Sequence, residues 1–497
     1  MFPRIRSALL LLFLIPFSAR AGVTCADVLK VLGSRLADAT CFVSTDLTTN
    51  NPLTTPANDS LPGVPALAFT PTTDRGVIAP SAGKRTPITK AVPGLQLNAR
   101  IASDPTGQAR FLLRLPNDWN GRLVVAGASG TRSEFNGDFA WSDYVVQQGY
   151  AYASQNKGVL NLFLAAVSAT PPADPLACRL NPVSTVWVHF FDNDPGQPFT
   201  RWTEFMIKAA QLARDGVKAG YGHSPRFTYA VGTSNGGYQV RRAVEAAPEL
   251  FDGGVDWEGT FVDEHAPNLL TDLPPAILNF PDYVASGFNP ASTAAKNIQG
   301  AGYPPDITLG ALSLWQNYSN SFWEVTQCQW QKRLDPAYDT YGSGTGTYNY
   351  VSRLSFSDVG AQFAAFATTG KIRRPLITVA GTMDALLPID HHARAYARKV
   401  AAASDRERDD DRGDRKRDDN RPAYRLYEIQ NGNHIETFQD VFPQLELIEP
   451  HAQRAFDLLV GQVEHNVPLP PDQCVPRGGA IAGAPAQAGH CASLFAP

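Results

Sequence analysis

No pair of cysteines in this chain stands in C-x-x-C spacing, only 18% of its residues are charged, and beyond its first residues no apolar run could cross a bilayer. Each absence removes a class of function. Cysteines without that spacing are poorly arranged for a structural zinc or a redox dithiol. A formal net charge of −4 leaves no basic footprint for a nucleic acid or an anionic membrane. Membrane insertion of the mature chain is therefore not expected, and its oligomeric state is left open.

What is present begins with Arg4 and Arg6, an apolar run from Ala8 to Phe17, and the small-residue site Ala19-Arg20-Ala21. That order is the order of a secretory signal, so residues 1–21 are expected to be removed on export to the periplasm or beyond. Their loss takes the net charge from −4 to about −7. Thr24 precedes Cys25, which argues against a lipid anchor. All six cysteines lie beyond the signal, and an even count in an exported chain reads as disulfides. Spacing suggests Cys25–Cys41 and Cys474–Cys491 as local loops, with Cys178–Cys328 as a long staple.

Residues 22–109, rich in Thr, Pro, Ala and Gly between about 45 and 93, are expected to wrap over a catalytic unit rather than to build a core of their own. From residue 110 the texture changes. Phe111 to Leu115, Leu123 to Ala126, Tyr150 to Ser154 and Phe227 to Val231 are short apolar runs that read as buried strands. Trp202 to Val217 and Tyr238 to Ala247 have helical spacing, and further strands are expected at Gly254 to Trp257, Leu376 to Ala380 and Tyr424 to Ile429. Strands alternating with helices predict an α/β fold with a mostly parallel sheet. Two insertions break the rhythm. Residues 262–371 are rich in Trp and Tyr and divide the core into 110–261 and 372–497, where a lid would sit. Residues 405–419 are nearly all charge and read as a solvated loop; the basic residues among the carboxylates argue against calcium there.

The most specific local signal is Gly232-Thr233-Ser234-Asn235-Gly236-Gly237, placed between a predicted strand and a predicted helix. A G-x-S-x-G turn in that setting resembles the nucleophile turn of the α/β-hydrolase fold, whose triad follows in the order serine, acid, histidine. Ser234 is the expected nucleophile. A serine hydroxyl needs a base within hydrogen-bond reach, itself oriented by an acid. Asp384 leaves the C-terminal end of the Leu376 to Ala380 strand, and His434 follows the Tyr424 to Ile429 strand. They are the expected acid and base. Asp390 reads as a helix cap, His391 and His392 as helix-start residues, and His223 as structural. Oxyanion donors are expected at the backbone N–H of Asn235 and, in the loop Gly127-Ala128-Ser129-Gly130, at Ala128 or Ser129. Trp315, Trp323 and His265 are expected to face substrate, although such aromatics could equally form the insertion's own core. No cofactor and no metal is called for; His391, His392 and Asp384 lack the helical spacing of a metal site.

Leu115-Pro116-Asn117-Asp118-Trp119-Asn120-Gly121-Arg122-Leu123, with Gly149-Tyr150-Ala151-Tyr152-Ala153-Ser154, resembles a segment of secreted tannase and feruloyl-esterase-like hydrolases. The resemblance implies a serine esterase with a triad at Ser234, Asp384 and His434 and an insertion that takes the aromatic acid of an ester. Members of that family carry cysteines directly before the serine and the histidine, where this chain has Thr233 and Asn433. The departure leaves hydroxyalkanoate oligomers open as the substrate, with the same triad. A non-catalytic binding protein on the same fold is the reading from another class.

Overall fold

The computed structural model describes residues 23–58, 66–130, 132–193, 199–338, 345–410 and 423–497. The expected export signal and residues 411–419 of the charged stretch lie outside them. Apolar runs that end in glycine, proline or asparagine become the middle of an 11-stranded sheet. Its spatial order is Leu36–Ser44, Gly94–Ile101, Arg110–Pro116, Ala151–Gln155, Arg122–Ala126, Phe227–Thr233, Gly253–Trp257, Leu376–Gly381, Tyr424–Ile429, Gln473–Val475, Gln487–Ala488. Neighbours from Ala151–Gln155 through Gln473–Val475 run parallel, and the pairings outside them are antiparallel.

Side chains alternate between the two faces of each strand, so both faces must be covered. Leu113, Leu123, Val125, Ala153 and Ala230 share one core with Phe205, Met206 and Ala209 of the helix Thr200–Tyr221. Val124, Tyr152, Tyr229, Val255 and Val379 share the other with Phe456 and Leu459 of the helix Glu449–His465. The expected α/β fold is present, with the expected strands and helices in place to within a few residues.

Residues 22–109 do more than wrap. Leu36–Ser44 and Gly94–Ile101 extend the main sheet in antiparallel register. A second departure is a small antiparallel sheet of Phe163–Val167, Ala177–Arg179 and Val186–His189. The disulfides are Cys25–Cys41, Cys178–Cys328 and Cys474–Cys491, the pairing that spacing suggests. Cys178–Cys328 ties this small sheet to the helix Trp323–Leu334 of the inserted segment. At the charged stretch the expected loop begins later than predicted, because the helix Ala393–Asp410 runs through residues 405–410. A mixed-charge run with no glycine before Gly413 contains nothing to stop a helix.

Candidate active site

Ser234 sits at φ 59°, ψ −124°, between the strand Phe227–Thr233 and the helix Asn235–Ala246. That left-handed backbone is rare outside glycine and marks a strained turn. Its neighbours must lack side chains: a Cβ on Gly232 would lie 2.4 Å from the Gly236 carbonyl oxygen, and one on Gly236 would lie 2.7 Å from the oxygen of Gly127. The Ser234 N–H donates to the Trp257 carbonyl at 2.9 Å, so the turn is locked to the next strand. Asn235 opens the helix, where N–H groups have no intrahelical acceptor, and Thr260 Oγ1 donates to its side-chain oxygen at 2.8 Å.

His434 and Asp384 meet. His434 Nδ1 lies 2.8 Å from Asp384 Oδ2, and both residues are buried. The other Asp384 oxygen, Oδ1, accepts the N–H groups of Leu386 at 2.8 Å and Leu387 at 2.7 Å, which fixes the carboxylate in its loop. Burial alone would lower the proton affinity of the imidazole, but the charge and hydrogen bond of Asp384, with the Glu258 carboxyl adding to them, together hold His434 above the ordinary histidine value. Asn433, the residue before it, accepts the Tyr318 hydroxyl at 2.7 Å, so the inserted segment holds the histidine loop.

Ser234, Asn235 and His434 line one cavity of about 290 Å³, close to the lower end of small-ligand sites. Most of its apolar wall comes from four parts of the chain. Phe69, Val77 and Ile78 belong to the wrapping segment; Leu162, Val188 and Phe190 to the small sheet and its flanks; Leu386, Leu387 and Ile435 to the loops that carry Asp384 and His434. The fourth wall is one face of the helix Trp323–Leu334 with the residue before it. Phe322, Val325, Thr326 and Gln329 recur at the i, i+3, i+4, i+7 spacing, with Trp330 beside them.

Several expected positions need correction. Trp315 and Trp323 are fully buried and do not line the cavity. Trp323 points about 100° around the helix from Phe322, packs edge-on against Phe280 and Tyr303, and donates its Nε1 to the Ala385 carbonyl at 2.7 Å. Trp315 packs against Tyr283. Both belong to a core that the insertion shares with Tyr238, Leu386 and Ile435 of the main body. The His265 side chain is 81% exposed and borders a separate surface depression with Asp263 and Lys399. The N–H of Ala128 donates to Gln239 Oε1 at 2.9 Å and that of Ser129 to Asn136 Oδ1 at 3.0 Å. Neither is free for a developing oxyanion. Gly130, next on the same loop, lines the cavity.

The rivals have other tasks. Asp390 pairs with Arg394 at 3.1 Å, and His391 Nδ1 and His392 Nε2 reach the two oxygens of Asp272 in the inserted helix Leu269–Ala285 at 2.9 and 3.2 Å. His223 stacks near Trp119. Sequence reasoning missed Arg132, a buried cation in the cavity wall paired with buried Asp192, which also accepts Gln329 Nε2 at 2.6 Å. It also missed Glu258, whose Oε2 lies 3.5 Å from His434 Nδ1. The available signal for Glu258 was a carboxyl at the C-terminal end of the Gly253–Trp257 strand, where functional groups gather in such sheets.

Residues 349–493, which include Asp384 and His434, match the family model described as 3HB-oligomer hydrolase. The D-(-)-3-hydroxybutyrate oligomer hydrolase of Burkholderia thailandensis is 30% identical over 136 residues, 26% of this chain and 17% of that protein. One from Ralstonia pickettii is 28% identical over 220 residues, 41% of this chain and 27% of that protein. The chain thus spans less than a third of the length of either relative. Among solved structures, feruloyl esterase B from Aspergillus oryzae aligns over 87% of each chain at 14% identity, with a TM-score of 0.48. Tannin acyl hydrolase from Aspergillus niger aligns over 90% of this chain and 87% of its own at 12% identity, with a TM-score of 0.45. The order of the central strands, together with the strained serine turn between strand and helix, makes this chain a protein of the α/β-hydrolase fold.

Proposed function

We propose that the chain is a serine hydrolase that cleaves carboxylic esters of hydroxyalkanoate oligomers. The observation that carries the reading is a histidine held 2.8 Å from a buried aspartate while it lines the same cavity as a serine on a strained turn. In this mechanism Ser234 Oγ attacks the ester carbonyl as His434 Nε2 takes its proton, and Asp384 stabilises the imidazolium. The carbonyl oxygen becomes an oxyanion that accepts the Asn235 N–H, with Gly130 as the second donor in place of Ala128 and Ser129. The leaving alcohol takes the proton back from His434. Water, deprotonated by the same histidine, then releases the acyl group.

The choice of oligomer over aromatic ester rests on the similarity to hydroxybutyrate oligomer hydrolases and on a cavity wall rich in Val, Leu and Ile. Paired cysteines suit the oxidising compartment that an exported enzyme meets, and no helix among the described residues is long and apolar enough to cross a membrane. The aromatic-ester reading keeps some support from Phe69, Phe190, Phe322 and Trp330 in the same wall. Rates on a hydroxybutyrate trimer against methyl ferulate separate the two, and faster ferulate turnover reverses the choice. Ser234→Ala is expected to fold normally, to lose labelling by a fluorophosphonate, and to lose roughly 10⁶-fold in kcat. Undiminished turnover by that variant would remove the serine from the mechanism.

A further inference from the structure

The mechanism above leaves a second carboxyl beside His434 without a task. Glu258 follows the strand Gly253–Trp257 at φ 50°, a left-handed conformation that a glutamate adopts only where its surroundings impose it. Its N–H donates to the Val379 carbonyl at 2.8 Å, which anchors it to the strand that leads to Asp384. The side chain is buried, and Oε1 accepts the Gly381 N–H at 3.0 Å. Gly381 makes the room, because a Cβ there would lie 2.8 Å from that same oxygen. Oε2 has no hydrogen-bond partner among the described residues and lies 3.5 Å from His434 Nδ1. A Glu258 oxygen, an Asp384 oxygen and a ring nitrogen of His434 fall within 4.8 Å of one another.

Two carboxylates beside one imidazole in a dry site cannot both carry full charge cheaply. The donors decide which one does. Asp384 accepts two backbone N–H groups and the imidazole, whereas Glu258 accepts one backbone N–H. Burial first, and the Asp384 charge second, push the proton affinity of Glu258 well above that of an ordinary glutamate. Other groups around it are the imidazole of His434, which acts the opposite way, the Glu436 carboxyl, and the Tyr318 phenol, which is committed to Asn433.

We propose that Glu258 is a reserve acid for His434: a positioning residue whose unpartnered Oε2 stands beside Nδ1 and orients the imidazole when the Asp384 carboxylate is removed. The proposal rests on the triad reading above.

The test compares the full chain carrying Asp384→Asn with Asp384→Asn/Glu258→Gln. The amide oxygen introduced by Asp384→Asn can still accept the Leu386 and Leu387 N–H groups, and Asp384→Ser serves as a second replacement should the first not fold. Loss of an orienting aspartate with no substitute costs about 10⁴-fold in kcat. The single variant is expected to lose only about 10²-fold, and the double variant a further 30-fold or more, with KM little changed. The single variant should also show a pH profile that rises with the ionisation of Glu258, a feature absent from the double. Nitrogen-15 NMR of the His434 ring reads the same point without any substrate: its proton affinity should be at least tenfold higher in the single variant than in the double. Equal ring titration in the two variants would overturn the proposal. If the wild-type chain turns over no ester, the triad reading fails, and the ring titration still decides on Glu258.

Discussion

An imidazole in a dry pocket loses protons easily unless a negative charge holds them, and for His434 the Asp384 carboxylate, with a smaller share from Glu258, more than reverses the effect of burial. Catalysis needs the neutral ring, so kcat/KM should rise with pH through a midpoint above the ordinary histidine value of about 6.5. A midpoint well below it, measured on a hydroxybutyrate oligomer, would show that Asp384 does not hold the ring in solution. The serine turn makes a second demand at this scale. Gly232→Ala would place a Cβ 2.4 Å from a backbone oxygen that cannot swing away. The substitution is expected to cost about 1–3 kcal/mol in urea unfolding and to slow fluorophosphonate labelling of Ser234 severalfold. The places proposed for the triad, Ser234, Asp384 and His434, stand out in the sequence because each follows a short apolar strand in a loop of small or polar residues, a pattern contained within some ten residues. Arg132 was not, since what singles it out is its partner Asp192 far along the chain, and for Glu258 the end of a strand marked the place while its neighbour His434 gives it a task.

At the scale of elements, the helix Trp323–Leu334 gives the cavity one face and gives the core between insertion and main body another, so the same stretch holds Val325 and Gln329 in the wall and Trp323 out of it. Aromatic composition alone could not separate the two faces. The cysteine staple could have, because Cys328 lies on this helix and Cys178 in the small sheet whose flanks supply Leu162 and Phe190 to the same cavity. Replacing both cysteines by serine releases a bond across 150 residues of sequence. The loss is expected to lower stability by about 2–4 kcal/mol and to raise KM for an ester substrate more than it lowers kcat, since the wall moves and the loops of Ser234, Asp384 and His434 do not. Differential scanning calorimetry with steady-state kinetics checks both parts. A fall in kcat alone would mean that the helix supports the histidine loop rather than the wall. That loop has its own tie, and Tyr318→Phe leaves Asn433 Oδ1 buried without its donor. About 1–3 kcal/mol and a severalfold drop in kcat are expected there, with KM unchanged.

For the whole molecule, the least legible part was the region before residue 110. Leu95, Leu97, Ala99 and Ile101 alternate with polar residues as a half-buried strand does, yet the Thr- and Pro-rich stretch before them reads as a wrap. The pairing that makes Leu36–Ser44 a strand is with Gly94–Ile101, across half a hundred residues whose described part carries no helix longer than one turn. One buried guanidinium joins these pieces to the sheet. Arg114 Nη1 and Nη2 pair with Asp138 at 2.7 and 3.0 Å, Nε donates to Gln96 Oε1 at 3.0 Å, and Nη2 also reaches the Thr54 carbonyl at 3.3 Å. Thr55 Oγ1 donates to the same Asp138 at 3.1 Å. A pair this deep costs much to desolvate and gives little net stability, but removing one partner strands the other charge in the core. Arg114→Ala is therefore expected to cost about 3–5 kcal/mol, read by urea unfolding. Because Phe69, Val77 and Ile78 reach the cavity from the same segment, the variant should also bind oligomers more weakly and be cut by protease between residues 45 and 93 under conditions that leave the wild type whole. Protease resistance equal to wild type, alongside the stability loss, would mean that the segment is held by its apolar contacts and that Arg114 serves the sheet alone.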